Sequence, residues 1–201
     1  MNANLRSTSA VLGFPRIGPQ REVKKALEAY WGDKISAEEL LKVAKEQRLN
    51  TYATIKEQGV DFVPTGTFSL YDHVLDMSNT LGIIPEAYAT SGLSQLDTYF
   101  AMARGHQKGG VDLPATEMKK WFDSNYHYLV PEFSEKSEFK LNDNKPVDDF
   151  IEAKEAGYNA RPVILGPLTL LWLGKTSKDA QDPNFNRYSL LPKLALSLIH
   201  I

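Results

Sequence analysis

Apolar residues near the start of the chain form one short run and then recur at helical spacing. The run Val11–Phe14 predicts a buried strand, and Pro15 ends it in a tight loop. From Arg21 the apolar positions return every three or four residues, which predicts an amphipathic helix. Gly32 follows the last of them and is expected to cap that helix. The chain therefore opens with a predicted strand, loop and helix.

Later segments add further elements of both kinds. Ser36 and Glu39 have the residue types and the spacing of a capping box, and the apolar positions after them predict a long charged helix up to Gly59. Helical spacing also predicts a helix over 71–81. The other predicted elements are an apolar strand at 60–63, a helix over 98–104, a glycine-rich polar loop at 105–112, a charged surface segment at 134–144, a helix over 148–156 and an apolar run at 162–167.

Apolar runs alternate with helices along the chain, a pattern typical of parallel β/α units. The ligand sites of such folds lie on loops that leave the carboxyl ends of the strands, here 15–20, 64–68 and 166–167. We predict an α/β domain over residues 11–194. Residues 1–10 are expected to be a disordered leader, and residues 195–201 a truncated or vector-derived tail, because no cap and no strand follow them.

Composition narrows the class of protein. Of the 201 residues, 42% are hydrophobic and 24% are charged, which is enough to build a core and to keep the chain soluble. The net charge of -2 provides no basic field for nucleic acid or anionic lipid. No apolar stretch approaches the roughly 20 residues of a membrane span, and the absence of cysteine excludes disulfides and thiolate chemistry within this chain. We expect a cytoplasmic protein that binds neither nucleic acid nor membranes.

Four cations lie within residues 16–25, around a predicted helix start. Backbone N–H groups and the positive end of the helix dipole make such a start receptive to phosphate or carboxylate, and Arg21 and Lys24 share a helical face. Spacing alone nevertheless favours a solvated helix terminus. Gly18 stands alone, so neither a phosphate-loop nor a dinucleotide fingerprint is present.

Asp72, His73 and Asp76 form a second candidate group. Their spacing fits a metal site or acid–base chemistry. The same spacing is common in ordinary helices, and the sequence alone favours a capped surface helix with an internally bonded histidine.

The segment 119–128 (KKWFDSNYHY) combines aromatic rings with amide, carboxylate and imidazole groups. Such a set suits a flat heteroaromatic ring that carries a charged tail. Aromatic density is also typical of a core, so Trp121 and Phe122 are expected to pack inside. Asn125 and His127 would point the same way in an extended segment.

Three stretches together closely resemble the amino-terminal region of the cobalamin-independent methionine synthase family. They are LGFPRIG at 12–18, REVKK at 21–25 and WFDSNYHY at 121–128. The likeness runs from about Val11 to about Leu194, and it includes YDHVLD at 71–76 and the segment 161–167. The stretch KPVD at 145–148 is most similar to fungal members.

The resemblance implies an enzyme that transfers a methyl group from 5-methyltetrahydropteroyltri-L-glutamate to L-homocysteine and forms L-methionine without cobalamin. It also implies two (β/α)8 barrels. The present chain would then be an incomplete TIM-type barrel, the first part of the amino-terminal one, and would be inactive alone. The family activates homocysteine as a zinc thiolate through ligands of a C-terminal barrel that this chain lacks. Neither a metal ligand nor a bond-making catalytic residue is therefore expected here.

By the same resemblance, the folate motif of the family falls on Arg21, Glu22 and Lys24, with a conservative change to valine at its third position. Lys24 is expected to contact the glutamate tail, with Arg21 beside it. Asn125 matches another folate-binding position, and Lys120 is expected to help by its charge. These groups would hold the γ-linked carboxylates by charge-assisted hydrogen bonds and so position the methyl donor.

Two other hypotheses stay open. In the first, the chain is a noncatalytic fragment that self-associates, because open barrel edges favour dimerisation, swapping or aggregation. In the second, it is an unrelated barrel enzyme that uses Asp72 and His73. The lack of a second matching acid–base set counts against that enzyme.

Overall fold

The computed structural model describes residues 7–199, and these form a mixed α/β structure. Its helices are α1 (Glu22–Trp31), α2 (Ala37–Glu57), α3 (His73–Thr80), α4 (Glu86–Ala89), α5 (Gln95–Arg104), α6 (Lys145–Glu155), α7 (Pro167–Leu173) and α8 (Leu191–Leu198), with a 3₁₀ turn at Arg187–Leu190. Its strands are β1 (Val63–Thr65), β2 (His106–Lys108), β3 (Val111–Leu113), β4 (Met118–Lys120), β5 (His127–Leu129), β6 (Glu132–Phe133), β7 (Ala160–Pro162) and β8 (Lys175–Thr176). No helix among the described residues is long and apolar enough to cross a membrane.

The strands pair two by two. The pairs β1–β7 and β6–β8 are parallel, and β2–β3 and β4–β5 are antiparallel hairpins. Helices lie between the strands of each parallel pair along the chain, which confirms the predicted α/β class. Within residues 7–199 these short sheets do not join into a closed barrel.

The chain divides into two compact units. One contains the residues up to Leu70 together with Pro146–Ile164, and the other contains Tyr71–Lys145 together with the residues from Leu165 onward. The predicted division into a leader, a domain over 11–194 and a tail stays a prediction. Residues 1–6 of the predicted leader and residues 200–201 of the predicted tail lie outside the described part of the chain.

The first unit is organised by α1 and α2. The apolar face predicted for α1 is buried at Val23, Ala26 and Leu27. The predicted capping box starts α2, since the Ser36 hydroxyl accepts the Glu39 amide at 3.2 Å and the Glu39 carboxylate accepts the Ser36 amide at 2.8 Å. The core beside α2 contains Tyr52, Ile55, Val63 and Ala153.

The second unit has a larger apolar core. The most deeply buried side chains of this core come from α3, β6, α7 and α8. They include Val74, Phe133, Leu170, Leu171 and Leu194, together with Leu81, which directly follows α3. Half-buried aromatic rings from the β4–β5 hairpin, among them Trp121 and Tyr126, pack against this core. The hairpin that carries two of the predicted site residues is therefore seated on the core of its own unit.

The strand predicted at Val11–Phe14 is wrong. Pairing occurs one residue earlier, as a single parallel bridge between Ala10 and Phe62, and Leu12 is 80% exposed. The Asp61 carboxylate explains the shift, because it accepts both the amide and the hydroxyl of Ser9 at 2.8 and 3.0 Å. This anchor fixes the chain upstream of the apolar run.

The loop predicted at 105–112 is also wrong, since β2 and β3 form a hairpin there. Gly109 and Gly110 occupy its turn with φ of 62° and 84°. Two consecutive positive φ values are what a two-residue hairpin turn of type I′ requires, and glycine adopts them without steric cost. The Gly-Gly pair could have predicted the hairpin turn, but the polar residues on either side of it did not show the pattern of a strand.

Most other predicted elements are confirmed with shifted ends. The predicted helices over 71–81, 98–104 and 148–156 correspond to α3, α5 and α6, and the apolar runs at 60–63 and 162–167 correspond to β1 and to the segment from β7 into α7. The surface location predicted for α3 is wrong, because six of its eight residues are buried. The predicted tail continues α8 as far as Leu198.

Candidate functional site

The first candidate segment lies where α1 begins. Arg21 is the N-cap residue and has a left-handed backbone with φ of 62°. Its amide donates to the Gly18 carbonyl at 3.0 Å, and the Val23 amide donates to the Ile17 carbonyl at 3.1 Å. Gly18 itself has φ of 85°, and a Cβ there would meet the Gln47 side chain at 2.6 Å. Glycine therefore lets the loop turn tightly against α2 and sets the position of Arg21.

The cations predicted to bind folate are accessible at this helix start. Arg21 and Lys24 are both exposed. Lys24 lies 3.4 Å from Glu28 in an i,i+4 ion pair. Because both groups face water, this pair contributes little free energy, and Lys24 can give it up to bind another anion. The first turn of α1 thus offers two cationic side chains to solvent.

Glu22, the third predicted residue of this segment, has a local partner. Its carboxylate accepts the Gln20 amide at 3.0 Å. A carboxylate in the first helical turn is also favourably placed in the helix dipole. In this structure Glu22 therefore orders the loop before α1.

Arg16, in the first predicted ligand loop, bonds to the residue just after the second loop within the first unit. Its guanidinium donates to the Ser69 carbonyl at 2.9 Å, which ties the segment 15–20 to the chain that follows β1. Gly66, in that chain, has φ of 79°, and a Cβ there would approach the Val163 carbonyl to 2.8 Å. The sequence pattern indicated a cation here but not its structural partner.

The second candidate segment is the turn of the β4–β5 hairpin, which we call the WFDSN turn (Trp121–Asn125). Across its base the Trp121 amide donates to the Tyr126 carbonyl at 2.7 Å, and the Ser124 amide donates to the Trp121 carbonyl at 3.1 Å. Lys120 ends β4 and lies opposite His127 of β5. Lys120 and Asn125 are both exposed, so the turn brings these two predicted residues to one end of the hairpin.

Two expectations about this segment are corrected. Phe122 does not pack inside, since it is 64% exposed and has φ of 49°. Asn125 lies in the turn instead of in an extended strand, and its carbonyl lies 3.0 Å from Nδ1 of His127. Both differences follow from one tight turn that reverses the chain between β4 and β5.

Asp72, which the sequence placed in a possible metal or acid–base group, is the buried N-cap of α3. Its carboxylate accepts the amides of Val74 and Leu75 at 3.2 and 2.9 Å. It also accepts the Tyr126 hydroxyl at 3.0 Å and the Leu129 amide at 3.0 Å. Four donors thus satisfy a carboxylate that water does not reach.

Asp76 is engaged as well. The Tyr99 hydroxyl donates to it at 2.7 Å, and Lys145 lies 3.7 Å away. The same Tyr99 oxygen accepts the amide of Tyr71 at 3.1 Å. Burial, reinforced by the Asp76 charge, raises the pKa of Tyr99 well above its usual value.

These contacts leave the group around Asp72 with a structural role. Within residues 7–199 no cluster of three or more His, Asp or Glu side chains is arranged to hold a metal ion. Sequence analysis singled out Asp72 for its spacing to His73 and Asp76 and placed it inside a helix over 71–81, whereas the structure places it at the N-cap. Tyr99 and Tyr126, its partners through bonds that span 27 and 54 residues, gave no local signal.

Comparison with known proteins gives a consistent result. The family model described as "Cobalamin-independent synthase, N-terminal domain" matches residues 8–200. A protein of Schizosaccharomyces pombe named probable 5-methyltetrahydropteroyltriglutamate–homocysteine methyltransferase is 55% identical over 192 residues, covering 92% of this chain and 25% of that protein. The 5-methyltetrahydropteroyltriglutamate–homocysteine methyltransferase of Saccharomyces cerevisiae is 54% identical to this chain. The match covers 87% of this chain and 24% of that protein.

Bacterial relatives also match. The protein with that name from Caulobacter vibrioides is 49% identical over 201 residues, covering 92% of this chain and 26% of its own length. The chain therefore spans about a quarter of the length of the curated relatives it matches.

Proposed function

Because the chain belongs to the cobalamin-independent methionine synthase family through its N-terminal domain, we propose that it supplies part of a binding site for the polyglutamate tail of 5-methyltetrahydrofolate. The complete protein would transfer the methyl group from 5-methyltetrahydropteroyltri-L-glutamate to L-homocysteine, giving L-methionine. The present residues would bind and position the methyl donor and would make no bond themselves.

The observation that carries this proposal is the pair of exposed cations in and before the first turn of α1. Arg21 and Lys24 combine two positive charges with the positive end of the helix dipole, which suits a chain of γ-linked carboxylates. The exposed Lys120 and Asn125 add a cation and an amide at the WFDSN turn. We propose Lys120 and Asn125 as further folate-binding residues and Glu22 as the residue that orders the loop from which Arg21 extends.

The fold proposal goes further than the short sheets of the described residues. We propose that the parallel pairs β1–β7 and β6–β8 belong to an incomplete (β/α)8 barrel. Parallel pairing between strands that are far apart in sequence and separated by helices supports this assignment.

Zinc, which the resemblance to the family implies for the homocysteine half of the reaction, does not fit this chain. Cysteine is absent from the sequence, and residues 7–199 contain no suitable cluster of ligands. We therefore assign no step of the methyl transfer to a metal held here, and homocysteine activation would belong to other parts of the complete protein.

The proposal is tested by replacing Lys24 with alanine in the 201-residue chain and measuring binding of tri- and monoglutamyl 5-methyltetrahydrofolate by calorimetry. We expect the preference for the triglutamate to fall about tenfold, since a charged hydrogen bond is worth about 1.5–3 kcal/mol. Lys42→Ala is the matched control, because Lys42 is an exposed lysine on α2 outside the proposed site. An unchanged preference in Lys24→Ala would contradict the proposal.

The same variants can be assayed for activity in a chimera. Here the chain replaces the matching quarter of the Saccharomyces cerevisiae relative, with which it is 54% identical. Methionine formation by the chimera with its own sequence, and a raised KM for the triglutamate in its Lys24→Ala form, are expected. A KM that rises equally in Lys42→Ala would reveal a non-specific charge effect.

A second candidate function, self-association without catalysis, is favoured by one observation. Helix α7 exposes Leu168 and Trp172, one helical turn apart, at 56% and 63% of their surface. Association surfaces are contiguous exposed apolar patches, and these two neighbouring side chains would form part of one. Light scattering separates the candidates, since a monomer that binds the triglutamate supports the folate site, whereas an obligate oligomer without folate affinity supports association.

A further inference from the structure

The Asp72 carboxylate joins two elements of the second unit by four hydrogen bonds. Two of them, from the amides of Val74 and Leu75, cap α3. The other two come from the β4–β5 hairpin, through the Tyr126 hydroxyl and the Leu129 amide. A residue that only capped a helix would need the first pair alone.

We propose that Asp72 is a positioning residue that, through Tyr126, holds the WFDSN turn in the single geometry in which Lys120 and Asn125 meet the ligand. This inference rests on the proposed folate-binding function. Asp72 touches no ligand in this scheme and acts through the hairpin.

Counting protons fixes the direction of the bonds around Tyr126. An ionised carboxylate only accepts, so the one hydroxyl hydrogen of Tyr126 is donated to Asp72 at 3.0 Å. The Tyr126 oxygen also lies 3.0 Å from Nδ1 of His73 and must accept from it. His73 therefore carries a hydrogen on Nδ1, and a chain of donors runs from His73 through Tyr126 to Asp72.

The bond acts at the end of the turn that bears Asn125. Tyr126 directly follows Asn125, and its carbonyl accepts the Trp121 amide that closes the turn. The Trp121 ring packs 4.8 Å from the His73 ring, so both ends of the turn rest on the start of α3. Removal of the hydroxyl would release the turn, while the Leu129 amide would still hold β5 to Asp72.

The hairpin offers a matched control two residues further along. Tyr128 is buried, and its hydroxyl donates to the Leu173 carbonyl at 3.0 Å. Tyr128→Phe removes the same atom from the same hairpin without touching Asp72. A role in general hairpin stability would give both substitutions the same effect.

Amide hydrogen exchange of the 201-residue chain tests the positioning directly. In Tyr126→Phe we expect exchange at the Trp121 and Ser124 amides to accelerate about tenfold or more, since a bond to a charged acceptor is lost. In Tyr128→Phe the exchange at these two amides should stay at the wild-type rate. Unchanged exchange in Tyr126→Phe, or equal acceleration in both variants, would overturn the positioning role.

A double-mutant cycle with Asn125→Ala tests the link to binding, with 5-methyltetrahydropteroyltriglutamate as the probe. Tyr126→Phe should weaken binding about fivefold in the wild-type background and clearly less in the Asn125→Ala background, because the part of its effect that passes through Asn125 is then already lost. Additive effects would overturn the inference. If Asn125→Ala alone leaves affinity intact while exchange responds as expected, the folate site is wrong and the hold of Asp72 on the turn stands.

Discussion

Backbone strain at single residues coincides with the proposed site. Among the described residues, three that are not glycine have a positive φ, namely Arg21, Asp33 and Phe122. Such a conformation costs roughly 1–2 kcal/mol for an L-residue and is usually avoided. Two of the three, Arg21 and Phe122, lie in the segments that carry Lys24 and Asn125, so residues other than glycine hold a strained backbone conformation in the segments proposed to bind the ligand.

Two substitutions of Arg21 distinguish the effect of its backbone conformation on stability from the effect of its side chain on binding. Arg21→Gly should be more stable than Arg21→Ala by about 1 kcal/mol, because glycine adopts the left-handed conformation without steric cost. Both variants lose the guanidinium and should show the same reduced preference for the triglutamate. Urea unfolding and calorimetric titration check the two halves, and equal stability of the two variants would show that the N-cap conformation is not strained.

Single residues also show how far sequence reasoning reaches. The residues around Asp72 were enough to predict a capped helix, because capping depends on neighbours two and three residues away, but the helix was predicted to begin at 71 and the structure makes Asp72 its N-cap. The pairing of Asp72 with Tyr126 depends on how the hairpin packs on α3, which local periodicity does not encode. Exposure of Phe122 was missed for the same reason, since a turn overrode the usual burial of an aromatic side chain.

At the scale of elements, an ion-pair group fastens α6 to α2 in the first unit. The Arg48 guanidinium donates to both carboxylate oxygens of Glu152 at 2.7 and 2.8 Å, and Asp149 lies 3.7 Å away. Burial of the Arg48 guanidinium lowers its pKa, because it disfavours the charged form. The hydrogen bond to Glu152 and the charge of Asp149 outweigh burial, so the pKa of Arg48 lies above its ordinary value. The arginine also lies over the Phe68 ring, with 5.3 Å from Cζ to the ring centre.

Removing this arginine should be costly. Arg48→Met leaves two largely buried carboxylates without their cation, and we expect the free energy of unfolding to fall by about 3–5 kcal/mol. Lys45→Ala serves as the control, because Lys45 is 57% exposed and lies 3.9 Å from the same Glu152. That control should lose less than about 1 kcal/mol. Urea denaturation followed by circular dichroism measures both, and similar losses would show that the group stabilises only through surface charge.

Sequence predicted helices better than strands in this chain. The capping box of α2 and the apolar face of α1 lie within short windows, so their signals survive without tertiary context. The strands are two or three residues long, too short for a period of two to be read, and several are polar. The wrong prediction at Val11–Phe14 shows the consequence, because one side-chain anchor at Asp61 moved the pairing upstream.

At the scale of the whole molecule, each unit contains a buried tyrosine whose raised pKa links folding to alkaline pH. Burial, helped by the Asp76 charge, raises the pKa of Tyr99 well above its usual value. Burial, helped by the Asp149 charge, likewise raises the pKa of Tyr52 in the first unit. In the unfolded chain both phenols regain the ordinary value of about 10.

The sign of the pH effect follows from these shifts. Above about pH 10 the unfolded chain releases phenol protons that the folded chain retains, so stability is full below that pH and falls as pH rises. Each such tyrosine contributes a slope that approaches about 1.4 kcal/mol per pH unit once the pH is well above 10. We expect Tyr99→Phe and Tyr52→Phe each to reduce the loss between pH 10 and 11 by about 1 kcal/mol, whatever either substitution costs at pH 7. Urea unfolding across this range measures the slopes. The contribution of lysine titration is the same in variant and wild type and cancels in the comparison. Parallel curves of stability against pH would show that folding raises the pKa of neither phenol.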